Sequence, residues 1–401
     1  MTRSTHNVWL HRFACLLVLT TLALVALGGV VTTKGVGMAV PDWPTTYGEH
    51  MFLFPYSKWL GGVFEEHSHR YLGSIVGILV AILAVWVWVR DTSGRIRWSG
   101  IIGIVAGVGL VGVRTPMVFV AVACLCLGVI AWAIPRAIRD QRRLRWLAVI
   151  AFAAVIIQGV LGGMRVLLDE HGWGTELGIF HAVLAQLFFL LLCSIALLTS
   201  QWWTNFNARE LDSVAAWSVR RLFIATTFLI LVQLIFGATM RHQHAGLAVP
   251  DFPLAYGKVW PATDAASVQF YNAHRMEAAG EQPITAPHIV VHMLHRFTGV
   301  ILLFAIIGCA VVAWKRTTAG SLLRKVAGLW VAMAMVQVTL GILSILFQRK
   351  VDVTTAHVAL GALTFATGWM LVLITSRFVA QTAPAIARDA ALSPTSAFKP
   401  A

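Results

Sequence analysis

Ten long apolar runs constrain this chain more than any other feature of its sequence. A helix that crosses a bilayer needs about 20 predominantly apolar residues, so runs of this length indicate transmembrane helices. Hydrophobic residues make up 58% of the 401 residues and charged residues only 12%, against about 25% charged residues in soluble proteins. The chain is therefore predicted to be an all-α polytopic membrane protein with about 8 to 10 transmembrane helices. The runs lie near residues 9–32, 69–89, 98–113, 116–134, 146–164, 177–199, 222–240, 289–313, 326–346 and 353–376.

The third run, residues 98–113, is the shortest and contains five glycines. Together with the next run, residues 116–134, it could form a tilted or re-entrant hairpin instead of two full spans. A hairpin leaves and returns on one side of the membrane, so the side on which the termini lie is the same in both cases.

The distribution of Lys and Arg indicates the orientation of the chain. These residues lie mostly in the segments on the side of the two termini, with five of them between residues 136 and 145. Cytoplasmic loops carry an excess of Lys and Arg, so both termini are predicted to be cytoplasmic. The formal net charge of +14 is divided among short clusters between apolar runs. It therefore indicates membrane topology and not nucleic-acid binding.

Four sequence landmarks occur twice in the same order. GGVVTTKGVGMAVPDWPTTYG at residues 28–48 matches GATMRHQHAGLAVPDFPLAYG at residues 237–257, an offset of 209. EEHSHRYLG at residues 65–73 matches VHMLHRFTG at residues 291–299. Such repetition indicates the duplication of one structural unit. The two remaining landmarks are QGVLGG at 158–163 with QVTLGI at 337–342, and FHAVLA at 180–185 with AHVALG at 356–361.

The repeated unit is predicted to contain four helices. The first half carries an inserted segment near residues 98–134 that the second half lacks. An even number of helices gives both halves the same direction, so we expect two tandem four-helix bundles related by a pseudo-twofold axis along the membrane normal, with an extra hairpin in the first half. The predicted domains are residues 1–205, residues 206–380 and a disordered tail at residues 381–401, which is rich in Ala, Pro, Ser and Thr.

Four histidines are paired by the repeat, His69 with His181 and His295 with His357. All four are predicted to lie roughly 5 to 10 Å below the outer surface, near helix ends. A single histidine there could snorkel to the interface, but four at equivalent places favour a shared function. Zinc would need three or four ligands, whereas two neutral imidazoles from opposed helices suit the axial positions of a haem iron. The sequence therefore predicts two bis-histidine haem sites.

Glu66 distinguishes the two predicted sites. It precedes His69 by three residues, so both side chains share one helix face, and its counterpart in the second half is His292. A carboxylate beside only one haem is expected if that haem is the substrate and the other carries electrons. Glu65 is a weaker competitor for this role. The helix dipole also favours a carboxylate near a helix N-terminus, which is the structural alternative.

Other polar residues near these helices have two interpretations each. Arg70 and Arg296 each follow a predicted ligand and could pair with a haem propionate or snorkel to the interface. His242 and His244 are predicted to face solvent. Three histidines are additional candidates: His67, His288 and His292.

The PDWP and PDFP segments each precede a histidine-bearing helix. Asp42 and Asp251 are predicted to form rigid turns there, because Pro fixes φ and Asp can bind nearby backbone N–H groups. These turns could cover each haem and exclude water. Gln158 and Gln337 are predicted to form hydrogen bonds between helices.

Taken together, these features resemble the haem A synthase family. The likeness covers nearly the whole chain apart from the 98–134 insertion, which departs from the usual eight helices, and the tail. Loop cysteine pairs found in some members are absent here, so their proposed thiol chemistry is not carried over. The resemblance rests on the duplicated unit, the GMAVPDWPTTYG loop and the residues Glu66, His69, Arg70, His181, His295, Arg296 and His357.

The resemblance implies oxidation of the C8 methyl group of haem O to a formyl group by successive hydroxylations, which gives haem A for cytochrome oxidase. The implied cofactor is haem b. The implied partners are haem O as substrate, haem O synthase, an electron donor such as quinol or ferredoxin, and membrane lipid, with no nucleic acid. The implied location is the bacterial inner membrane, with both haem sites near the extracytoplasmic side. The implied site residues are Glu66 as catalytic acid or base, His69, His181 and Arg70 for the substrate haem, His295 and His357 as ligands of the haem b iron, and Arg296 at a propionate.

Other functions could use the same histidines. A non-enzymatic di-haem b membrane cytochrome that passes electrons from quinol would need all four of them but would give Glu66 no necessary role. A haem transporter would be expected to have unwound helices and sites near the membrane midplane. Haem O synthase is disfavoured because no Asp-rich magnesium motif occurs on any loop. The difference between Glu66 and His292 favours the enzyme.

Overall fold

The computed structural model describes residues 7–109, 115–140, 143–205, 213–275, 283–318 and 320–392. These ranges are mostly helical, which confirms the predicted all-α class. Strands β1 (Thr45–Thr46) and β2 (Glu49–His50) pair antiparallel between the first two helices. The helices are α1 (Val8–Thr33), α2 (Gly62–Asp91), α3 (Gly94–Gly109), α4 (Pro116–Arg139), α5 (Arg143–Leu167), α6 (Gly174–Thr199), α7 (Gln201–Asn205), α8 (Ser213–His242), α9 (Ala265–His274), α10 (Ala286–Arg316), α11 (Leu322–Leu346) and α12 (Val351–Leu392).

Local sequence explains several helix starts. The Asn7 side chain caps α1 by accepting the N–H of Leu10 at 3.0 Å. Pro116 and Pro287 lie in the first turns of α4 and α10, where the missing N–H has no partner to lose. Gly61, with a φ of 53°, precedes α2 in a conformation that favours glycine.

Nine helices in the described part of the chain are long and apolar enough to cross a membrane. The protein is therefore a multi-pass membrane protein. In the described residues, nine of the ten predicted runs coincide with such a helix, and the third run is described only as far as Gly109, the last residue of α3. α3 packs against α2 and α4 packs against α5, so the inserted segment covers one side of the first half.

The remaining long helices form two closed rings of contacts. In the first ring α1, α2, α5 and α6 pack in turn against one another, and in the second ring α8, α10, α11 and α12 do the same. The rings meet where α12 contacts α1 and α6, and where α6 contacts α8. Each half is therefore a four-helix bundle. The pseudo-twofold axis between them stays a prediction.

Each bundle has its own apolar core. Leu17 and Leu83 are fully buried in the first core, and Phe223 and Trp330 are fully buried in the second. In lipid, close packing and interhelical hydrogen bonds hold helices together, because lipid tails are as apolar as leucine. The indole N–H of Trp330 donates to the carbonyl of Thr364 at 2.8 Å and ties α11 to α12.

The last helix is longer than the sequence indicates. α12 continues to Leu392, so the predicted domain boundary at residue 380 lies within a helix. Of the predicted tail, residues 393–401 lie outside the described residues.

Candidate functional site

The loop between α1 and α2, residues 34–61, folds around Asp42. One carboxylate oxygen of Asp42 accepts the N–H of Tyr47 at 2.7 Å, and the other accepts the N–H of Gly48 at 2.8 Å and the hydroxyl of Thr45 at 2.5 Å. Burial acts to raise the pKa of Asp42, but these hydrogen bonds and the charge of Arg70 outweigh it and lower the pKa below its ordinary value.

The loop after α8 repeats this turn around Asp251. Its carboxylate accepts the N–H groups of Tyr256 at 2.9 Å and Gly257 at 3.2 Å. Tyr47 and Tyr256 both have a φ of 50°. The predicted Asp turns are therefore confirmed in both halves. No hydroxyl matches that of Thr45, because the equivalent residue is Leu254.

Each of the four predicted ligand histidines lies against a glycine on a neighbouring helix of its own bundle. A side chain on these glycines would crowd the imidazole ring, so glycine allows the two helices to approach closely. All four glycines belong to the repeated landmarks. The distances from a Cβ added to the glycine to the imidazole Cε1 would be 3.0 Å for Gly28 and His69, 3.3 Å for Gly162 and His181, 3.2 Å for Gly237 and His295, and 3.1 Å for Gly341 and His357.

The second histidine pair has a spacing that fits an iron ligated from both sides. The ring centroids of His295 and His357 are 6.4 Å apart, with the ring planes inclined by 68°. Two metal–imidazole bonds of about 2 Å, with roughly 1 Å from each nitrogen to its ring centre, give about 6 Å. The residues present therefore fit a bis-histidine haem.

Hydrogen bonds also orient His357 for this role. Its Nδ1 lies 3.1 Å from the carbonyl oxygen of Gln337. A proton on Nδ1 would donate to that carbonyl, which leaves Nε2 with the lone pair that a metal needs. The Gln337 side chain donates to the His357 carbonyl at 2.9 Å, and Gln158 donates to the His181 carbonyl at 3.2 Å. The predicted interhelical role of the two glutamines is confirmed.

His69 and His181 are close enough to interact electrostatically. They lie on α2 and α6, as predicted for the first pair. Nδ1 of His69 is buried with no hydrogen-bond partner among the residues that the structure describes. The rings of His181 and His295 interact with the backbone carbonyls of Gln158 and Gln233, as the ring of His357 does with that of Gln337.

Glu66 is buried beside His69 and makes three contacts. One carboxylate oxygen accepts the backbone N–H of Val40 at 2.8 Å, and the other accepts Nε and Nη2 of Arg70 at 3.1 and 2.6 Å. The exposed fraction of Glu66 is 4%. The carboxylate is thus held at the junction of α2 and the loop.

Arg70 binds this loop and Glu66 together. It donates to the carbonyls of Val40 at 2.9 Å, Asp42 at 2.7 Å and Thr45 at 3.3 Å. With the two contacts to Glu66, five contacts match the five N–H groups of the guanidinium. Arg70 therefore supports the loop, and a propionate contact would require one of these hydrogen bonds to break.

The second half has a looser version of this arrangement. Arg296 donates to the carbonyls of Val249 at 2.7 Å and Leu254 at 3.3 Å, the counterparts of Val40 and Thr45. Its Nε is buried without a partner among the described residues. His292, which is 2% exposed, replaces Glu66, so this site lacks the carboxylate.

Two histidines outside the predicted pairs have clear surroundings. His67 is fully buried, with its ring 4.3 Å from that of Trp59 and its Nδ1 3.3 Å from the Thr46 hydroxyl. The expectation that His242 faces solvent is wrong. It is half-buried, and its Nδ1 lies only 2.6 Å from where a Cβ on Gly178 of α6 would be. His244 is exposed, as predicted.

Sequence reasoning also missed Arg165, in the last turn of α5. Its guanidinium lies beside Gly37 in the first loop and Gly178 on α6, three residues before His181. It interacts electrostatically with Glu66. Arg165 has no counterpart in the repeat, where Ser344 stands at the matching position, so the repeat gave no signal for it.

Comparisons with known proteins show which family the chain resembles in sequence. Residues 114–368 match the COX15-CtaA family model, described as cytochrome oxidase assembly protein. The heme A synthase of Halalkalibacterium halodurans is 21% identical over 362 residues, which are 89% of this chain and 94% of that protein. The heme A synthase of Geobacillus kaustophilus is 25% identical over 65% of each chain. That of Lysinibacillus sphaericus is 22% identical over 93% of this chain and 97% of its own.

Proposed function

The chain belongs to the COX15-CtaA family of cytochrome oxidase assembly proteins, and from this premise we propose that it is a haem A synthase, an oxidoreductase that converts haem O to haem A. The reaction oxidises the C8 methyl group to a formyl group. Two hydroxylations each consume one molecule of O2, two electrons and two protons; one oxygen atom enters a C–H bond and the other leaves as water. The resulting geminal diol then loses water to give the aldehyde. An electron donor such as quinol or ferredoxin supplies the reducing equivalents.

One observation carries the assignment of roles to the two halves. Glu66 is a buried carboxylate beside His69, whereas the equivalent residue beside His295 is His292. A site that must move protons to and from a substrate needs such a group, and a site that only transfers electrons does not. The first half therefore holds haem O, and the second half holds the cofactor.

In the first half, His69 and His181 bind the substrate haem from opposite sides. Glu66 accepts or returns the proton when the hydroxyl groups form and water leaves. The first loop, held by Glu66 and Arg70, excludes water from the site. Positioned acids and bases of this kind contribute about 10² to 10⁴ to a rate.

In the second half, His295 and His357 are the residues that would hold haem b, and Arg296 is the residue that would meet a propionate. Held by two histidines, this group would supply one-electron transfer. The 6.4 Å ring spacing and the carbonyl of Gln337 at Nδ1 of His357 support this assignment.

The same proposal fixes the place of the protein in the cell. It lies in a bacterial inner membrane, with both termini cytoplasmic and both haem sites toward the outer side. Residues 1–205 form the substrate half and residues 206–380 form the haem b half. Haem O synthase is the partner that supplies the substrate.

The test is haem conversion in cells that make haem O but lack this activity. Pigments are extracted and analysed by mass from cells with the parent, Glu66→Gln or His292→Gln as the matched control. We expect haem A with the parent, an approximately 100-fold drop with Glu66→Gln, and a smaller change with His292→Gln.

A di-haem b electron-transfer cytochrome is the second candidate. It is favoured by the close similarity of the two glycine-backed histidine pairs. Purified protein that carries haem b in both halves, converts no haem O and keeps the same pigment with Glu66→Gln would establish this candidate and reject the synthase.

A further inference from the structure

Arg165 is a half-buried charged residue near the end of α5 that makes no hydrogen bond to the residues the structure describes. It lies two residues before the end of α5, and its Nε atom is buried without a partner. No hydrogen bond or ion pair joins its guanidinium to any residue in the described ranges. An unpaired charge inside a membrane protein is costly, so a group with this arrangement usually serves a ligand or a pathway.

The surroundings of Arg165 place it at the first histidine pair. Its Nη atoms lie 3.2 Å from where a Cβ on Gly37 would be, and its Nε lies 3.1 Å from where one on Gly178 would be. His69 and His181 both interact with its charge. Glycine at both positions leaves room for the guanidinium between the first loop and α6.

Neighbouring acids do not neutralise this charge through direct contact. Glu66 and Asp169 act on it only through space. Glu66 is already bound to Arg70 and to Val40. His242, from the second half, lies beside the same Gly178 and carries no acidic group. The free N–H groups of Arg165 are therefore available to an anion that enters the site.

We propose that Arg165 binds a carboxylate of the tetrapyrrole that occupies the first site, namely a propionate of haem O. This inference rests on the proposed function and deepens it. The guanidinium presents its donors in a planar fork that matches a carboxylate, which lysine cannot do. Arg165 takes the role that the sequence assigned to Arg70, whose N–H groups are occupied by Glu66 and the loop.

The second site does not repeat this feature. Ser344 replaces Arg165, and its hydroxyl donates to the Leu340 carbonyl at 2.8 Å within its own helix. The arginine whose charge acts on His357 is Arg241 at the end of α8, and it donates to the Gly29 carbonyl at 2.9 Å and the Thr32 hydroxyl at 2.7 Å. Arg165 therefore distinguishes the substrate site from the cofactor site.

The test is a binding titration with two probes, haem O and its dimethyl ester, in which both carboxylates are neutral. The titrated proteins are the full-length parent and its Arg165→Gln, Arg165→Lys and Arg241→Gln variants, each purified in detergent. The His69→Ala variant defines binding at the first site, which is the bound haem that this variant loses relative to the parent. We expect the parent to bind haem O about 10- to 100-fold more tightly than the ester. Arg165→Gln should bind both equally, and Arg165→Lys should retain part of the preference.

The control variant and the results that would contradict the proposal give different binding patterns. Arg241→Gln should keep the preference for the free acid. If Arg165→Gln weakens haem O and ester alike, or keeps the parent's preference, the carboxylate role is wrong while the proposed function stands. If the parent binds no haem O at the first site, the proposed function fails together with this inference.

Discussion

The two halves of this protein share a scaffold but differ in the polar residues beside it. Both have a histidine pair backed by glycines, and both have a loop turned by an aspartate and bound by an arginine. Only the first half has Glu66 and Arg165, with His292 and Ser344 at the matching positions. The shared backbone geometry thus defines where a haem can bind in each half. The single residue differences between the halves define whether the bound haem is oxidised or transfers electrons.

The surroundings of the two loops differ as well. The Trp43 ring fills the space that a Cβ on Gly163 would need, and it lies 4.7 Å from the Phe119 ring on α4. At the matching positions the second half has Phe252, which is 43% exposed, and Ile342. The inserted helix therefore covers the first loop, where the proposed chemistry needs water excluded.

Removal of one histidine from each pair should have the largest effect. His181→Ala should reduce haem O conversion below detection, because the substrate haem loses an axial ligand. His357→Ala should remove the bis-histidine haem b spectrum instead. Absorption spectra of the purified variants separate the two losses, and an identical spectral change in both variants would show that the halves are not specialised.

Exchange of Glu66 and His292, which occupy equivalent positions in the two halves, should have the next largest effect. Glu66→His makes the first site resemble the second, and we expect turnover to fall by about 100-fold with bound haem retained. His292→Glu should leave haem b bound without creating a second conversion site. Retained turnover in Glu66→His would contradict the role of the carboxylate.

Truncation of the aromatic residue in each loop should affect stability unequally. Trp43→Ala removes the contacts with Gly163 and Phe119 and should cost about 2 to 3 kcal/mol in the free energy of unfolding. Phe252→Ala removes a half-exposed ring and should cost less than about 1 kcal/mol. Thermal unfolding in detergent measures both, and equal losses would mean that α4 does not cover the first loop.

The glycines behind the histidines should show a smaller, local effect. Gly28→Ala brings a methyl group to 3.0 Å from the His69 ring, and such overpacking costs about 1 to 3 kcal/mol. Gly73→Ala, on the same helix as His69, meets no atom within 4 Å and is the matched control. A lower melting temperature for Gly28→Ala but not for Gly73→Ala would confirm the close approach.

The repeat explains why much of the site could be predicted from sequence. His69, His181, His295 and His357 recur at equivalent places, so internal comparison separated them from chance histidines. The helix count could be predicted because a span has a required length, and the nine candidate spans among the described residues lie within the predicted 8 to 10.

What could not be predicted depends on contacts between distant segments. Arg70 meets Val40, 30 residues away, only because the loop folds back over α2. Arg165 and His242 meet at Gly178 although they lie on α5 and α8. Neither has a repeat partner of the same type, so nothing in the sequence marked them.

The smallest expected effect concerns the two loop aspartates and their dependence on pH. The folded-state pKa of Asp42 lies below its unfolded value of about 3.9. Its ionised form therefore stabilises the folded state above about pH 4, and this contribution is lost as the pH falls through the folded-state pKa. Because Asp42 is partly exposed, the contribution should be only a few tenths of a kcal/mol.

Asp42→Asn should lower the melting temperature slightly at pH 6, and the difference from the parent should shrink below pH 4. Asp251→Asn, which loses no hydroxyl contact, should have the smaller effect, and an equal or larger one would show that the Thr45 hydroxyl contributes nothing.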